Sequence, residues 1–326
     1  MGSWCVLGVC GAEETGMAEK FSYSKLDTYH QCGYKYKLKY VDGNYSYTDS
    51  IATEFGTLIH SIEESILNAL KAGEAINYTK LKNQFLLSAL QLQNKYSVDF
   101  MTLDKSNRTY ADKMYEYSLT GIYRLENFLK EHPTYTIIGS EIPFNFTYNS
   151  YLFKGFIDRV FFDTATETYI IQDIKTYAVP VEEAKLKTPL QFVVYALAVE
   201  SIYNSTKICC QYDLPLCNLV QDAGTKGFVE RGKKQLDKLF AHIEAKEFVP
   251  APSPLCAWCE YCANSATAAD TTKYLCPYFC QWTKENKTFD KMYDWAGPEN
   301  DAVIVEAYRQ EVAASLRLQE QLNTSK

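Results

Sequence analysis

Three strand-like segments follow one another in the middle of the chain and constrain its fold more than any other feature. Residues 134–148, 151–163 and 168–176 are rich in Ile, Phe, Tyr and Thr, which favour strands. Short polar breaks separate the three segments, so they predict a meander of consecutive strands. A helical pattern at 190–203 and a fourth strand-like segment at 207–216 follow. This order predicts an α/β fold with a mixed sheet.

Helical patterns dominate the part of the chain before this meander. Ser24 is the expected N-cap of a short helix that ends near Cys32. Apolar residues at helical spacing predict a second helix that begins at Gly56 and Thr57. Residues 71–133 keep a polar helical pattern, which predicts a helical insertion. A helix at 232–246 follows the meander, and another is expected at about 301–323.

The chain divides into four parts by composition. Residues 1–16 are rich in Gly and Cys with little patterning, and we interpret them as a leader or an expression remnant. Residues 17–250 are the expected core, which contains the helical insertion at 71–133. Residues 251–285 form a Cys-rich segment, interpreted as a metal-binding clasp, and residues 286–326 form a helical tail.

The net charge of −7 argues against a protein that coats nucleic acid over a broad basic face. It does not exclude a nuclease, because an acidic metal site and a local basic groove can coexist. Lysines alternate with tyrosines at 34–40, and this segment is a candidate surface for stacking single-stranded bases. No signal peptide and no run of about 18 apolar residues is visible. We therefore expect an intracellular protein with reduced or metal-bound thiols, without a membrane span.

Two acidic residues and a lysine lie in the strand-like segments. Asp158 is set in a strongly apolar run, and Asp173 and Lys175 are two residues apart in the next one, on the same face of a strand. Charged groups in such runs are costly to bury without a partner or a metal. Two carboxylates can hold Mg²⁺, which lowers the pKa of a bound water. Lys175 can orient or deprotonate that water, or stabilise charge that develops on a phosphate.

Five short motifs occur in order from about residue 21 to 280: Ser24-Lys-Leu-x-x-Tyr-x-x-Cys32, Gly56-x-x-x-His60, Gly155-x-x-Asp158, Asp173-x-Lys175 and Gln191-x-x-x-Tyr195. Together these motifs resemble, in family order, the signature of the RecB-like branch of the PD-(D/E)xK nucleases, including its iron–sulfur-box, CRISPR-adaptation-type and phage exonuclease-like members. The resemblance implies a restriction-endonuclease-like mixed-sheet core with a helical insertion and a C-terminal Cys-rich clasp.

The resemblance also implies roles for individual residues. His60, Asp158 and Asp173 would hold Mg²⁺ or Mn²⁺, with help from the carbonyl of Ile174. Lys175 would be the catalytic lysine. Three more residues would support the site or contact DNA: Glu141, which we place next to the metal ligands, Gln191 and Tyr195.

Five cysteines fall within residues 256–280, a density that indicates metal binding in a reducing compartment. The family resemblance implies a [4Fe–4S] cluster held by the thiolates of Cys32, Cys256, Cys259 and Cys276. About a dozen extra residues precede Cys276 compared with the family pattern, and Cys262 and Cys280 are surplus. Either surplus thiol can replace Cys276, and a Zn²⁺ site of Cys256, Cys259, Cys276 and Cys280 is the alternative.

The expected activity is metal-dependent hydrolysis of DNA, by an exonuclease that acts on single strands or ends. The setting would be recombination, repair or phage DNA metabolism, in the cytoplasm, at the nucleoid or in a host cytoplasm if the chain is viral. No phosphate-binding loop of a helicase is present, so a helicase or recombination protein would be a separate partner. The alternatives are a non-catalytic DNA-binding or scaffold protein that retains the fold, and a small zinc-binding interaction protein. The sequence indicates no oligomeric state.

Overall fold

A computed structural model describes residues 20–46, 49–101, 103, 107–251, 253–262, 275–276, 278–279 and 290–291 of the chain. A six-stranded sheet lies at its centre. Its strands are β1 (Lys20–Phe21), β2 (Tyr135–Tyr148), β3 (Tyr151–Asp163), β4 (Thr168–Ile174), β5 (Ile208–Leu214) and β6 (Leu219–Ala223). Two further strands, β7 (Tyr278–Phe279) and β8 (Asp290–Lys291), pair with each other.

The expected meander is confirmed. β2 and β3 form a long antiparallel hairpin, and β4 is antiparallel to β3. Asn149 and Ser150 connect the hairpin with φ angles of 47° and 69°, as a two-residue turn with the twist of the flanking strands requires. β5 then lies parallel to β4, and β6 lies antiparallel to β5. The sheet is therefore mixed, as the sequence predicts, whereas the short strands β1 and β6 are additions to the prediction.

Ten α-helices accompany the sheet in the part of the chain that the structure describes. Before β2 they are α1 (Tyr23–Gln31), α2 (Gly33–Tyr36), α3 (Ile51–Ala72), α4 (Tyr78–Lys95), α5 (Ser97–Phe100), α6 (Tyr110–Leu119) and α7 (Arg124–Glu131). After β4 they are α8 (Glu183–Leu186), α9 (Leu190–Tyr203) and α10 (Phe228–Glu244). A π-helical turn (Lys37–Val41) extends α2, and two 3₁₀ turns span Gly121–Tyr123 and Pro254–Trp258.

Two predicted helix starts before the sheet are wrong, and α10 also begins earlier than predicted, at Phe228 and not at Gly232. The N-cap of α1 is Ser22, whose hydroxyl accepts the backbone N–H of Lys25, and not Ser24. Helix α3 begins at Ile51, five residues before Gly56, because the Ser50 hydroxyl caps it by accepting the N–H of Thr53. In both places a serine nearer the N-terminus satisfies the free N–H groups of the first turn.

The sheet separates two hydrophobic cores. One core packs α1, α9 and α10 against one face and includes Val160 and Ile171. The other packs α3, α4, α6 and α7 against the opposite face and includes Phe161 and Ile170. Neighbouring strand residues thus point to opposite cores, as the two-residue repeat of a strand requires. Helices α3 and α9 lie on opposite faces of the strands that carry Asp158 and Asp173.

The predicted stacking surface at residues 34–40 is wrong. Tyr34 and Tyr36 are each 1% exposed and pack in the interior. Lys35 and Lys39 bind the Glu260 carboxylate at 2.8 and 3.2 Å. The alternation of Tyr and Lys therefore joins this segment to the Cys-rich segment and leaves the two buried rings out of reach of a ligand.

Several sequence interpretations fall outside the described residues. They concern the leader at 1–16, Cys280, the helix at 301–323 and the tail at 286–326 apart from β8. Among the described helices, none combines the length and apolar character that a membrane span requires.

Candidate active site and thiol group

The candidate active site lies where β3 and β4 part. Their antiparallel pairing runs from Asp163 and Thr168 to Arg159 and Gln172. Beyond Arg159 and Gln172 this backbone pairing stops. The N–H of Ile174 donates there to the Asp158 carboxylate, at 2.9 Å, and not to a backbone carbonyl. The side chains of Asp158 and Asp173 therefore lie at the opening between the strands, as expected for two strands that carry a shared site.

His60 reaches this opening from α3, on the second core. Its Nε2 lies 3.0 Å from the carbonyl oxygen of Ile174, and because a carbonyl only accepts, Nε2 carries the proton of the neutral ring. The other ring nitrogen, Nδ1, faces Glu141 at 3.9 Å and Asp158 at 3.8 Å. Its lone pair is thus turned toward two carboxylates, and the hydrogen bond to Ile174 fixes the ring in that orientation.

His60, Glu141 and Asp158 together form a group that can hold a metal ion. One donor atom from each of them lies within 4.8 Å of the others. Nitrogen and carboxylate oxygen ligands suit Mg²⁺ or Mn²⁺, with histidine favouring Mn²⁺. The sequence analysis predicts that Glu141 lies next to the metal ligands, whereas in the structure Glu141 is one of the three possible donors.

The backbone of Glu141 is strained. Its φ is +45°, although it lies within β2 and is not a glycine. A left-handed residue in a strand costs about 1–3 kcal/mol and persists only where the surroundings enforce it. The β2–β3 register, in which Ser140 pairs with Arg159 and Ile142 with Ile157, places Glu141 opposite Asp158. The strain therefore occurs at the position that brings the two carboxylates together.

A second polar group adjoins the three donors and centres on Gln191 at the start of α9. Its Nε2 donates to Asp173 Oδ1 at 2.7 Å and to the Tyr195 hydroxyl at 2.8 Å. Its Oε1 accepts from Lys175 Nζ at 3.2 Å, and Lys175 also contacts Asp173 Oδ2 at 2.6 Å. The amide holds the carboxylate and the ammonium of the Asp-x-Lys motif in fixed positions.

The charges of this group are set by burial and by each other. Burial raises the pKa of Asp173 to about 6, with Lys175 opposing the shift and Asp158 adding to it. Burial lowers the pKa of Lys175, but the carboxylates of Asp173 and Asp158 outweigh it, so the net shift is upward. Burial and the nearby Asp158 raise the pKa of Glu141. At neutral pH Lys175 is therefore a cation beside crowded carboxylates, whose mutual repulsion a divalent cation relieves.

Gly155 has a packing role in the same site. A Cβ at this position would lie 2.7 Å from the Phe144 ring, which covers the glycine from the neighbouring strand. Phe144 in turn packs edge-on against Tyr195, with ring centroids 6.1 Å apart. Because Gly155 has no side chain, the Phe144 ring can lie over it and pack against Tyr195, which Gln191 binds.

A buried ionic network behind the site was not anticipated from the sequence. Arg159 Nη2 donates to Glu63 at 2.9 Å, and Nη1 donates to Asp213 at 3.0 Å and Gln172 at 3.1 Å. Arg124 also pairs with Asp213. The side chains of Arg159, Glu63 and Asp213 are at most 2% exposed. The network joins β3 and β5 to α3 and α7. Arg159 follows Asp158 in an apolar run, which was the only sequence signal for it.

The described cysteines of the Cys-rich segment meet Cys32 in one place. This thiol group consists of Cys32, Cys256, Cys259, Cys262 and Cys276. The thiol of Cys262 lies within hydrogen-bonding reach of Cys256, Cys259 and Cys276, and these contacts with its burial raise its pKa. All five thiols are free of disulfides. Cys262, a surplus cysteine in the sequence pattern, thus lies among the other thiols.

Backbone N–H groups point at the sulfurs of this thiol group. Cys32 Sγ accepts from the N–H of Lys35 and of Ala251, each at 3.4 Å. Cys256 Sγ accepts from the N–H of Ser253 at 3.3 Å. Such donors stabilise thiolate ligands and tune bound clusters. They also tie the segment after α1 to the segment after α10.

The fold and the site define a class: an α/β protein in which a mixed sheet carries an Asp, an Asp-x-Lys pair and a candidate metal site. One matching solved structure is titled "Crystal structure of SSO0001"; it is 15% identical, the match covers 53% of this chain and 76% of that one, and the TM-score is 0.25. No curated protein matches the chain in sequence. The family profile of the PD-(D/E)XK nuclease superfamily matches residues 20–264, and the chain belongs to that superfamily.

Proposed function

We propose that this protein is a divalent-metal-dependent deoxyribonuclease that hydrolyses phosphodiester bonds at the opening between β3 and β4. The observation that carries the proposal is the convergence of His60, Glu141 and Asp158 beside Lys175. Histidine from a helix and acidic groups from two strands meet there, beside a lysine that directly follows β4. Membership of the PD-(D/E)XK superfamily supports the same chemistry.

The donor groups fit a hard divalent cation. His60 Nδ1 and the Glu141 and Asp158 carboxylates would hold Mg²⁺ or Mn²⁺, with the Ile174 carbonyl and Asp173 adjacent. The exposed fractions of the His60, Glu141 and Asp158 side chains, 29%, 42% and 14%, leave the group open to water and substrate. When bound, the ion would supply a water of lowered pKa and would neutralise phosphate charge.

The remaining roles in the reaction fall to side chains next to the metal donors. Lys175 lies beside crowded carboxylates that raise its pKa, so it is placed to stabilise negative charge on the phosphate and to orient the nucleophile. Asp173 keeps Lys175 in place, and Gln191 holds both of them. Tyr195 and Gln191 would support the site and contact the nucleic acid.

We further propose that the substrate is single-stranded DNA or a DNA end, degraded exonucleolytically in recombination, repair or phage DNA metabolism. A helicase or recombination protein is the expected partner, and the compartment is intracellular. The strand and end preference is supported by the resemblance to RecB-like nucleases described above, and the compartment by the described cysteines, which form no disulfide with each other.

The thiol group is the proposed site of a second metal centre. Cys32, Cys256, Cys259 and Cys276 would hold a [4Fe–4S] cluster, with Cys262 the alternate ligand that the contacts favour. Zn²⁺ is the alternative, because four thiolates also suit a structural zinc site. The N–H groups aimed at Cys32 and Cys256 support a thiolate-bound metal. The centre would fasten the two ends of the core to each other.

The test of the proposed function uses the full chain, purified without oxygen, with end-labelled single-stranded and duplex DNA. Cleavage is compared in Mg²⁺, Mn²⁺ and EDTA. We expect cleavage of the single strand with either cation and none in EDTA, and a ladder of products shortened from one end. The absence of cleavage in both cations would contradict the proposal and favour a non-catalytic DNA-binding or scaffold protein.

A further inference from the structure

A cleft of about 730 Å³ adjoins the candidate active site through Gln191. Gln191, which holds Lys175 and Asp173, is part of its lining, as is Tyr212 on β5. Tyr177, two residues after Lys175, lines it too. The three metal donors do not belong to its lining, so the cleft adjoins the reacting centre without being part of the metal site.

The charge of this cleft offers no net attraction for the phosphates of duplex or single-stranded DNA, so a nucleic acid in it would be held through its bases. Lys185 and Lys238 line it together with Asp27 and Glu182, and Lys185 pairs with Glu182 at 3.4 Å. Duplex DNA presents phosphates along its outside and binds to surfaces with an excess of Lys and Arg. Equal numbers of lysines and carboxylates give no such excess here.

Aromatic and amide groups of the lining suit unpaired bases. The Tyr177 side chain is 49% exposed, and no ring stacks on it among the described residues. Tyr23 adds aromatic surface, and the amides of Gln191 and Gln235 offer hydrogen bonds. Unpaired bases bind by stacking on aromatic side chains, and this mode accepts any base sequence.

The wall that carries Tyr177 is formed without a ligand. Gln221 of β6 accepts the N–H of Val181 at 2.7 Å and donates to its carbonyl at 3.3 Å. Cys217 Sγ donates to the Tyr177 carbonyl at 3.3 Å. Arg231 binds the Thr188 hydroxyl at 3.2 Å. A loop fastened at three points presents its side chains without a large ordering cost on binding.

We propose that this cleft binds unpaired nucleobases of a single-stranded substrate, next to the phosphate that lies at Lys175, with Tyr177 as a stacking platform. The inference rests on the proposed nuclease function and assigns its strand preference to named residues. The free bases of a single strand or of a frayed end enter the cleft, whereas the paired bases of a duplex face each other and do not.

The test measures binding of a fluorescent single-stranded oligonucleotide and of its duplex to the full chain in EDTA, by anisotropy. Tyr177→Ala is compared with Tyr177→Phe, which keeps a stacking ring, and with Tyr115→Ala. Tyr115 is 66% exposed on α6 and does not line the cleft. We expect Tyr177→Ala to weaken single-strand binding about tenfold, while Tyr177→Phe and Tyr115→Ala bind like the wild type. Duplex binding should not change in any variant.

A second measurement locates the strand directly. A single-stranded oligonucleotide with 5-iodo-deoxyuridine at its ends is photocrosslinked to the wild-type chain, and the adduct is mapped by mass spectrometry to Tyr177 or another residue of the cleft. The inference is overturned if Tyr177→Ala binds the single strand like the wild type, or if the adduct maps outside the cleft. If either of these results is found while metal-dependent cleavage persists, this inference is overturned and the proposed nuclease function stands. Crosslinking in the cleft without metal-dependent cleavage overturns the proposed function alone.

Discussion

Arg159 on β3 donates to Glu63 on α3 across 2.9 Å, although both side chains are almost completely shielded from solvent. Glu63 also accepts from the Tyr117 hydroxyl at 2.8 Å, and Arg159 also binds Asp213. Glu63 lies three residues after His60, and Arg159 directly follows Asp158. The ion pair therefore fixes the helix that carries the candidate histidine against the strand that carries the candidate aspartate.

Removing one member of this buried pair should be strongly destabilising. Arg159→Ala removes the guanidinium partner of Glu63 in the interior and leaves Asp213 with Arg124 alone, which costs about 3–5 kcal/mol. We expect that loss in the free energy of unfolding measured in urea, with Lys154→Ala, an exposed residue of the same strand, as the control. A loss below about 1 kcal/mol for Arg159→Ala would show that the network contributes little.

Glu141 should contribute to metal binding, and its position in the site comes with a strained backbone. Glu141→Gln removes the charge, and we expect the Mn²⁺ affinity of the chain to fall at least about tenfold, as read by titration calorimetry. Glu141→Gly removes the charge and also relieves the positive φ. It should therefore bind Mn²⁺ equally poorly but unfold with a free energy about 1 kcal/mol higher than Glu141→Gln. Unchanged Mn²⁺ affinity in both variants would exclude Glu141 as a ligand.

The pH dependence of stability should reveal the burial of Asp173. Its pKa is raised to about 6 in the folded chain, from 3.8. Between these values the folded state holds a proton that the unfolded state has released, so the contribution of Asp173 to stability falls as pH rises. In EDTA, we expect the free energy of unfolding of the wild type to fall by about 1–2 kcal/mol between pH 4.5 and 6.5, relative to Asp173→Asn.

The same comparison at pH 6.5 and above gives an internal check. Once Asp173 is ionised in both states, the difference between the wild type and Asp173→Asn should become independent of pH. A difference that is constant from pH 4.5 to 6.5, or one that grows in favour of the wild type, would contradict the raised pKa.

The thiol group should account for the iron or zinc content of the protein. Cys32→Ala removes a proposed ligand, and we expect this variant, purified without oxygen, to lose most of its bound metal. Cys262→Ala removes the alternate ligand, and it should lose as much metal where Cys262 takes the place of Cys276. Elemental analysis and the visible spectrum distinguish iron–sulfur from zinc. Cys209→Ala, which alters a thiol packed against the second core, should keep the wild-type content. Equal metal content in Cys262→Ala and the wild type would show that Cys262 is not a metal ligand.

The central sheet was predictable because its signals are local. Alternating β-branched and aromatic residues, with Asn149 and Ser150 at the turn, define β2 and β3 from neighbouring residues alone. Helix α9 was predicted by its helical pattern, although it is buried around its whole circumference between Phe192 and Val199. Short strands such as Lys20–Phe21 carry too few residues for a pattern, and their pairing with β3 depends on the tertiary fold.

The residue types of the candidate site could be predicted from the sequence, whereas the contacts between them could not. Asp158, Asp173 and Lys175 stand out because charges interrupt apolar strands. The partners of Arg159 lie 96 residues before it and 54 residues after it, and no local pattern joins them. The positive φ of Glu141 and the position of Cys262 likewise depend on contacts between distant segments. The burial of Tyr34 and Tyr36 reversed the role that the Tyr/Lys alternation predicted.

The most direct test of the central claim compares cleavage of end-labelled single-stranded DNA in Mn²⁺ by the wild type, Lys175→Ala and Lys154→Ala. Loss of the Lys175 ammonium removes an electrostatic contact to the phosphate, so cleavage by Lys175→Ala should fall at least about a hundredfold. Mn²⁺ should still bind that variant, because Lys175 is not a ligand, and Lys154→Ala should cleave like the wild type. Metal-dependent cleavage that survives undiminished in Lys175→Ala would contradict an active site at this position.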